Sequence, residues 1–206
     1  MKKRVLGITG GVGAGKSMIL AYLQEKYDAC VISCDQVGAE LQRPGGACYR
    51  PMLELLGEDV LRPDKTFDRA AVAARVFADE ELLRQINGIV HPMVYQEVTE
   101  RIRQAGDRLV VIESALLLDA GNRDICDEIW YVFASEEIRK QRLKKDRGYS
   151  DERIRSVMQS QQDDRYFRSG CDFVIDNNLD PDFACRQIDK GLSEHGFMYD
   201  RQREQR

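Results

Sequence analysis

The chain has 206 residues, 43% of them hydrophobic and 32% charged, with a formal net charge of −4. That balance describes a globular chain able to bury a sizeable core in one domain, and the acidic excess argues against a general nucleic-acid binder. Met1-Lys2-Lys3-Arg4 followed by Val5-Leu6-Gly7-Ile8-Thr9 starts like a secretory leader. Glycines and Lys16 then interrupt the apolar run too soon, and no stretch approaches the ~20 apolar residues of a spanning helix, so a cytoplasmic protein without a membrane partner is expected.

In chain order, Val5–Thr9 reads as a short buried strand that runs into glycines, and Ser17–Tyr27 as a helix with Ile19, Leu20 and Leu23 on one face. Ala29–Cys34 is a second strand, with Asp35 immediately after it and a helix expected over Gln36–Gln42. Residues 36–105 carry no strand pattern. They carry helical segments at Met52–Leu56, Ala70–Phe77 and Glu80–Ile102, with turns at Pro44-Gly45-Gly46 and Pro63-Asp64. Leu109–Ile112, Ile129–Phe133 and Phe173–Ile175 are three further strands separated by helical pattern, which predicts an α/β fold with a parallel five-stranded sheet. Between the last two lies Arg139–Arg168, expected as two helices around Arg147-Gly148-Tyr149-Ser150. It holds ten Lys/Arg against five Asp/Glu. Arg201–Arg206 is polar and expected to fray. The six cysteines form no Cys-x-x-Cys pair, so reduced thiols are expected and a zinc site is unsupported.

Gly10-Gly11-Val12-Gly13-Ala14-Gly15-Lys16-Ser17 matches G-x-x-x-x-G-K-[ST], with a strand before it and a helix after it. Glycines allow successive backbone N–H groups to converge on phosphate oxygens, and the helix beginning there adds the positive end of its dipole. Lys16 supplies a point charge to the outer phosphates and the Ser17 hydroxyl suits Mg²⁺. Residues Gly11 to Met18 are therefore the expected ATP contacts. A dinucleotide fingerprint fails because it would need glycine at Lys16.

Asp35 ends the second strand, at the sheet edge where open α/β proteins bind ligands. Its position suits a carboxylate that deprotonates an acceptor hydroxyl and equally suits an N-cap of the next helix. Asp35-Gln36-Val37-Gly38 also spells the D-x-x-G of GTPase switches, but no N-K-x-D follows to read guanine. Glu113, ending the third strand, stands where an acidic metal-shell residue would be, and a solvated glutamate is the plainer expectation. The basic run 139–168 reads either as a solvated helix face or as a lid over the γ-phosphate, with Arg142 and Arg147 the expected catalytic arginines. His91, before Pro92, sits within the helical insertion.

Taken together, these motifs resemble the bacterial dephospho-CoA kinase family over nearly the whole chain. The resemblance rests on Gly7–Ser17, Val31-Ile32-Ser33-Cys34-Asp35, Pro44-Gly45, Phe67-Asp68-Arg69, Val76-Phe77 and Ile86-Asn87-Gly88-Ile89-Val90-His91-Pro92. It extends through Leu116-Leu117-Leu118-Asp119, Gln141-Arg142-Leu143, Ser160-Gln161 and Asp172–Asn178. The chain departs from the family pattern at Met18, Ser33, Ala39, Ala115 and Asp146-Arg147. The resemblance implies a nucleoside-monophosphate-kinase-like P-loop fold in one domain of 1–206. The core would comprise 1–35, 106–138 and 169–200, with an acceptor-binding insertion at 36–105 and a lid at 139–168. It implies transfer of the ATP γ-phosphate, with Mg²⁺, to the ribose 3′-hydroxyl of dephospho-CoA. Asp35 would be catalytic and would contact the substrate with His91, Lys16, Arg142 and Arg147 would act on the phosphates, and the partners would be small molecules. A monomer or weak homo-oligomer is expected. Another P-loop nucleotide kinase, or a nucleotide-binding switch without transfer, are the competing readings.

Overall fold

A computed structural model describes residues 4–118 and 123–197. Asp119 and the Arg201–Arg206 tail lie outside the described residues. The chain divides into two compact units, one formed by 1–31 with 105–206 and the other by 32–104.

The larger unit is organised around β1 (Val5–Thr9), every residue of which is buried. A strand covered on both faces needs a continuous apolar run rather than alternation, and Val-Leu-Gly-Ile-Thr supplies one. The remaining strands are β2 (Cys30–Ser33), β3 (Val110–Glu113), β4 (Glu128–Phe133) and β5 (Phe173–Asp176). They form one parallel sheet in the order β2-β3-β1-β4-β5. Parallel neighbours require long crossovers, and these are made by helices.

Helix α1 (Lys16–Tyr27) starts behind Gly15 and stops at Asp28, which adopts a left-handed φ of 51°. Helix α9 (Pro181–Glu194) has Asp180 as N-cap, accepting from the Phe183 N–H, and a proline in its first turn; both are strong start signals. The two helices are joined through Asp189, whose carboxylate accepts hydrogen bonds from the hydroxyls of Tyr22 and Tyr27 at 2.6 Å each and from Lys26 at 2.8 Å. Burial, then the Asp189 acceptor, pushes the Tyr27 phenol up to about 12. Trp130 on β4 is fully buried and packs against Phe173 (centroids 4.8 Å apart), Phe197 and His195. The basic excursion contains three helices rather than the expected two: α6 (Glu136–Arg147), α7 (Asp151–Gln159) and α8 (Asp164–Gly170). Each begins at a side-chain cap, Ser135, Ser150 and Asp163 respectively.

In the smaller unit, α2 (Cys34–Leu41) begins two residues earlier than predicted, directly from the end of β2. It is followed by α3 (Tyr49–Leu56), α4 (Arg69–Phe77) and α5 (Glu80–Gln104). An isolated antiparallel bridge pairs Leu61 with Phe67. Cys48, Met52, Leu56, Val60 and Ile86 form the buried centre, rimmed by half-buried Leu41, Phe67, Val72, Val76 and Val90. Helix α5 runs 25 residues with Pro92 inside it. Proline cannot donate to the carbonyl four residues back and its ring crowds that carbonyl; here the carbonyl is that of Gly88.

Candidate active site

Two glycines of the loop between β1 and α1 have close neighbours where a Cβ would sit. Gly15 has a φ of 93°, and a Cβ there would lie 2.2 Å from the Asn177 amide nitrogen. Gly11 has ordinary backbone geometry, but a Cβ on it would lie 2.5 Å from the Arg139 guanidinium. One glycine thus supplies a backbone shape and the other supplies room.

Three carbonyls of this loop, at alternate residues, are each held by side chains. Lys16 Nζ donates to the Gly10 carbonyl at 2.7 Å. Arg139 Nε donates to that of Val12 at 2.8 Å. The Ala14 carbonyl accepts from both Asn177 Nδ2 at 2.8 Å and Arg142 Nη1 at 3.2 Å. No peptide bond is cis among the described residues, and a trans peptide directs its N–H opposite to its C=O. Holding the carbonyls of 10, 12 and 14 therefore turns the N–H groups of Gly11, Gly13 and Gly15 the other way. Each N–H is thereby held in one orientation, and fixed backbone donors of this kind are what a phosphate-binding loop uses. Two of the expected contact amides have partners within the protein instead: Val12 N–H donates to Gln161 Oε1 and Ala14 N–H to the Gly11 carbonyl.

Lys16 also faces Glu113, Nζ to Oε1 at 3.7 Å, with both side chains about 15% exposed. The expectation of a solvated Glu113 is corrected here. The β1–β3 register sets Ile8 against Glu113, which delivers the carboxylate to the end of the strand that feeds the loop. Ser17 is exposed in the first turn of α1, while Met18 is half-buried and packs on the core.

Helix α6 supplies the arginines. Arg139 and Arg142 are three residues apart and share a face. Arg142 also donates to the Asn177 carbonyl at 2.9 Å, so it grips the end of β5 and the loop together. Arg147 is exposed in the last turn of α6, and five residues of helix place it about 140° around from Arg142. The two expected lid arginines are thus not brought together. Arg139, which sequence reasoning passed over, is the one beside Arg142. Its only sequence signal is its position one turn before the Gln141-Arg142-Leu143 motif.

Asp35 and His91 both belong to the smaller unit. Asp35 lies within the first turn of α2 and is exposed; Ser33 occupies the N-cap position. The capping alternative for Asp35 is overturned, because the helix starts before it. A carboxylate in the first turn still favours the helix dipole. His91 is exposed in the middle of α5, beside Pro92. Among the described residues no helix is long and apolar enough to cross a membrane.

Comparison with known proteins places this arrangement. The sequence profile of the dephospho-CoA kinases matches residues 4–182. A Corynebacterium glutamicum dephospho-CoA kinase is 34% identical over 176 residues, covering 84% of this chain and 88% of its own. The Geobacter sulfurreducens dephospho-CoA kinase is 31% identical over 189 residues, covering 90% and 95%. Among solved structures, one from Thermus thermophilus superposes with a TM-score of 0.81 at 26% identity, covering 94% of this chain and 98% of that one. A shikimate kinase from Acinetobacter baumannii, at TM-score 0.51 and 18% identity over 94% and 95%, shares the fold alone. The fold is that of the P-loop kinases related to nucleoside monophosphate kinases. A match that begins at Arg4, takes in the phosphate loop and the whole helical insertion, and ends at Asp182 makes the chain a member of the dephospho-CoA kinase family.

Proposed function

We propose that the protein transfers the γ-phosphoryl group of ATP to the ribose 3′-hydroxyl of dephospho-CoA, producing coenzyme A and ADP. The observation that carries this reading is the family match across both units, including the whole of the segment 32–104. The donor array and Lys16 described above supply the phosphate grip that such a transfer needs.

In this mechanism the Gly13 and Gly15 N–H groups and Lys16 hold the ATP phosphates and take up negative charge as it moves toward the leaving ADP. Asp35 accepts the proton of the ribose hydroxyl as its oxygen bonds to phosphorus and the bond to the ADP oxygen breaks. Arg142 keeps the loop in shape through Ala14, and Arg147 belongs to the lid segment 139–168 that closes over the phosphates. His91 contacts the acceptor from the insertion 36–105. A hard divalent cation suits the site: the Ser17 hydroxyl is exposed, and among the described residues no cluster of three His, Cys, Asp or Glu competes for metal. Ser17, nucleotide oxygens and water are the oxygen donors that Mg²⁺ favours. When bound, Mg²⁺ would neutralise phosphate charge. Small-molecule partners and a cytoplasmic location complete the reading.

A coupled assay with ATP, Mg²⁺ and dephospho-CoA tests it directly, beside adenosine, shikimate and nucleoside monophosphates as acceptors. Turnover confined to dephospho-CoA is expected. ATP binding with no acceptor turned over would make the protein a nucleotide switch instead.

A further inference from the structure

Val12 has both of its backbone polar groups taken by side chains from distant parts of the chain. Its N–H donates to Gln161 Oε1 at 3.1 Å and its carbonyl accepts from Arg139 Nε at 2.8 Å. Arg139 Nη2 donates to the same Gln161 oxygen at 2.5 Å. Three groups thus close a ring in which each touches the other two. Val12 is 127 residues from Arg139 and 149 from Gln161 along the chain, and those two, from the first turn of α6 and the segment after α7, are 22 apart, so local structure does not force the ring to form. The Arg139 side chain is half-buried, and its guanidinium lies 2.5 Å from where a Cβ on Gly11 would sit, so a larger residue at 11 would displace it.

We propose that Arg139 and Gln161 are positioning residues of the ATP site, a clamp that fixes the Val12–Gly13 peptide so that the Gly13 N–H faces the phosphates. The inference rests on the kinase reading above. Each member has a defined part. Arg139 immobilises the carbonyl, Gln161 immobilises the preceding N–H, and their mutual bond keeps both rotamers in place. Burial pushes the Arg139 pKa below its ordinary value, and both of its acceptors are neutral oxygens. Nearby Tyr131 and the Glu136 carboxylate oppose that shift, and the guanidinium places a positive charge beside a loop that receives a polyanion. Ser160-Gln161 was part of the sequence resemblance without a role, and this assigns one.

The test is calorimetric ATP binding and steady-state kinetics on Arg139→Ala, Gln161→Ala, the double variant, Arg139→Lys and Gln161→Glu. Each single alanine variant should weaken ATP binding roughly tenfold, the scale of a lost charge-assisted hydrogen bond in a preorganised site. The KM for dephospho-CoA should stay within about twofold. Because the three groups act as one unit, the double variant should be no weaker than the worse single, rather than about a hundredfold weaker as independent sites would be. Gln161→Glu keeps an acceptor for both donors and should recover part of the lost affinity, the rest being offset by its negative charge beside the phosphates. Arg139→Lys keeps the charge without the fork and should not. Multiplying losses, an equal loss for both substrates, or unchanged ATP affinity would each overturn the clamp. Thermal melts identify any variant that fails to fold, and the Glu and Lys variants then decide. If the wild type turns over no dephospho-CoA, the kinase reading fails while the ATP affinities still test the clamp.

Discussion

The two units of this molecule solve different problems with different materials. The larger unit buries a parallel sheet, with core residues contributed by β1, β3, β4, β5 and the flanking α1 and α9. Its functional loop inherits that rigidity, because the carbonyls of Gly10, Val12 and Ala14 are tied to Lys16, Arg139, Arg142 and Asn177. The smaller unit has a smaller core, the cluster of Cys48, Met52, Leu56, Val60 and Ile86 with Ile32, Val37 and Val98 also buried, and closes the rest with half-buried rims and partly exposed ion pairs such as Arg101 with Glu40 and Glu97. A phosphate site gains from donors fixed in advance of binding, whereas a unit with a small core opens at lower free-energy cost. The contrast separates groups that must be rigid for chemistry from groups that can adjust to a larger acceptor.

Core truncation breaks the comparison hardest. Leu56 is about 1% exposed at the centre of the smaller unit. Leu56→Ala should cost about 2–5 kcal/mol, the usual range for a buried leucine, and a unit this small should then lose its hydrogen-exchange protection as a whole. ATP binding by the larger unit should persist. If protection were lost equally in β1 and β4, the two units would be one cooperative body and the contrast would dissolve.

Lys16→Ala tests the rigid side. It removes a charge that already sits between Gly10 and Glu113, and turnover should fall by ~10²–10³ with little change in melting temperature. Retention of full activity would remove the phosphate grip from the mechanism.

Asp35→Asn tests the chemistry contributed by the other unit. Turnover should drop by roughly 10²-fold, the scale of general-base catalysis, with ATP affinity retained. Because Asp35 lies inside the first turn of α2, its charge contributes to the helix dipole, and the variant should also lose about 0.3–1 kcal/mol of stability. A stability loss alone, with normal turnover of the folded enzyme, would assign the residue to the helix.

The smallest expected effect is at Arg101. Hydrogen bonding from Arg101 holds the Glu40 carboxyl below its ordinary pKa. A depressed carboxylate contributes stability that is present above its unfolded pKa and lost as pH falls through the folded value. Glu40 is exposed, so screening limits the contribution of the pair to about 1 kcal/mol at most. Arg101→Ala melts compared at pH 7 and pH 3, with and without 1 M salt, should converge at low pH and high salt. A difference that survived both would mean Arg101 acts through packing of its stem.

Much of the fold was legible because its signals are local. The phosphate loop is a contiguous pattern, and each of the five strands is a short apolar run; β1 has the predicted bounds and the other four differ by one residue at one end or both. The elements that escaped depend on long-range pairing. Glu113 read as solvated until the parallel register set it opposite Ile8 and beside Lys16. Arg139 and Gln161 meet Val12 across more than a hundred residues, and nothing in a linear pattern announces a three-way contact. Helix α2 was predicted late because Val31-Ile32-Ser33-Cys34 has strand propensity up to the point where the chain turns, and Ser33 gives no side-chain capping bond to mark the start. Helix α8 is seven residues long, too short for a periodic signal, although Asp163 three residues before Tyr166 was a readable cap.

Trp130 gives the molecule an optical consequence. It is the sole tryptophan of the sequence, fully buried on β4 between Phe173, Phe197 and the end of α9, where its indole N–H donates to Glu128 at 3.0 Å. Its emission should be blue-shifted in the native state and red-shift only when the sheet around it opens. Unfolding of residues 32–104 contains no such chromophore and would pass unseen at that wavelength. A fluorescence melt of this protein is therefore a measurement of one unit, and only its divergence from a far-ultraviolet dichroism melt, dominated by helices of both, would reveal the other.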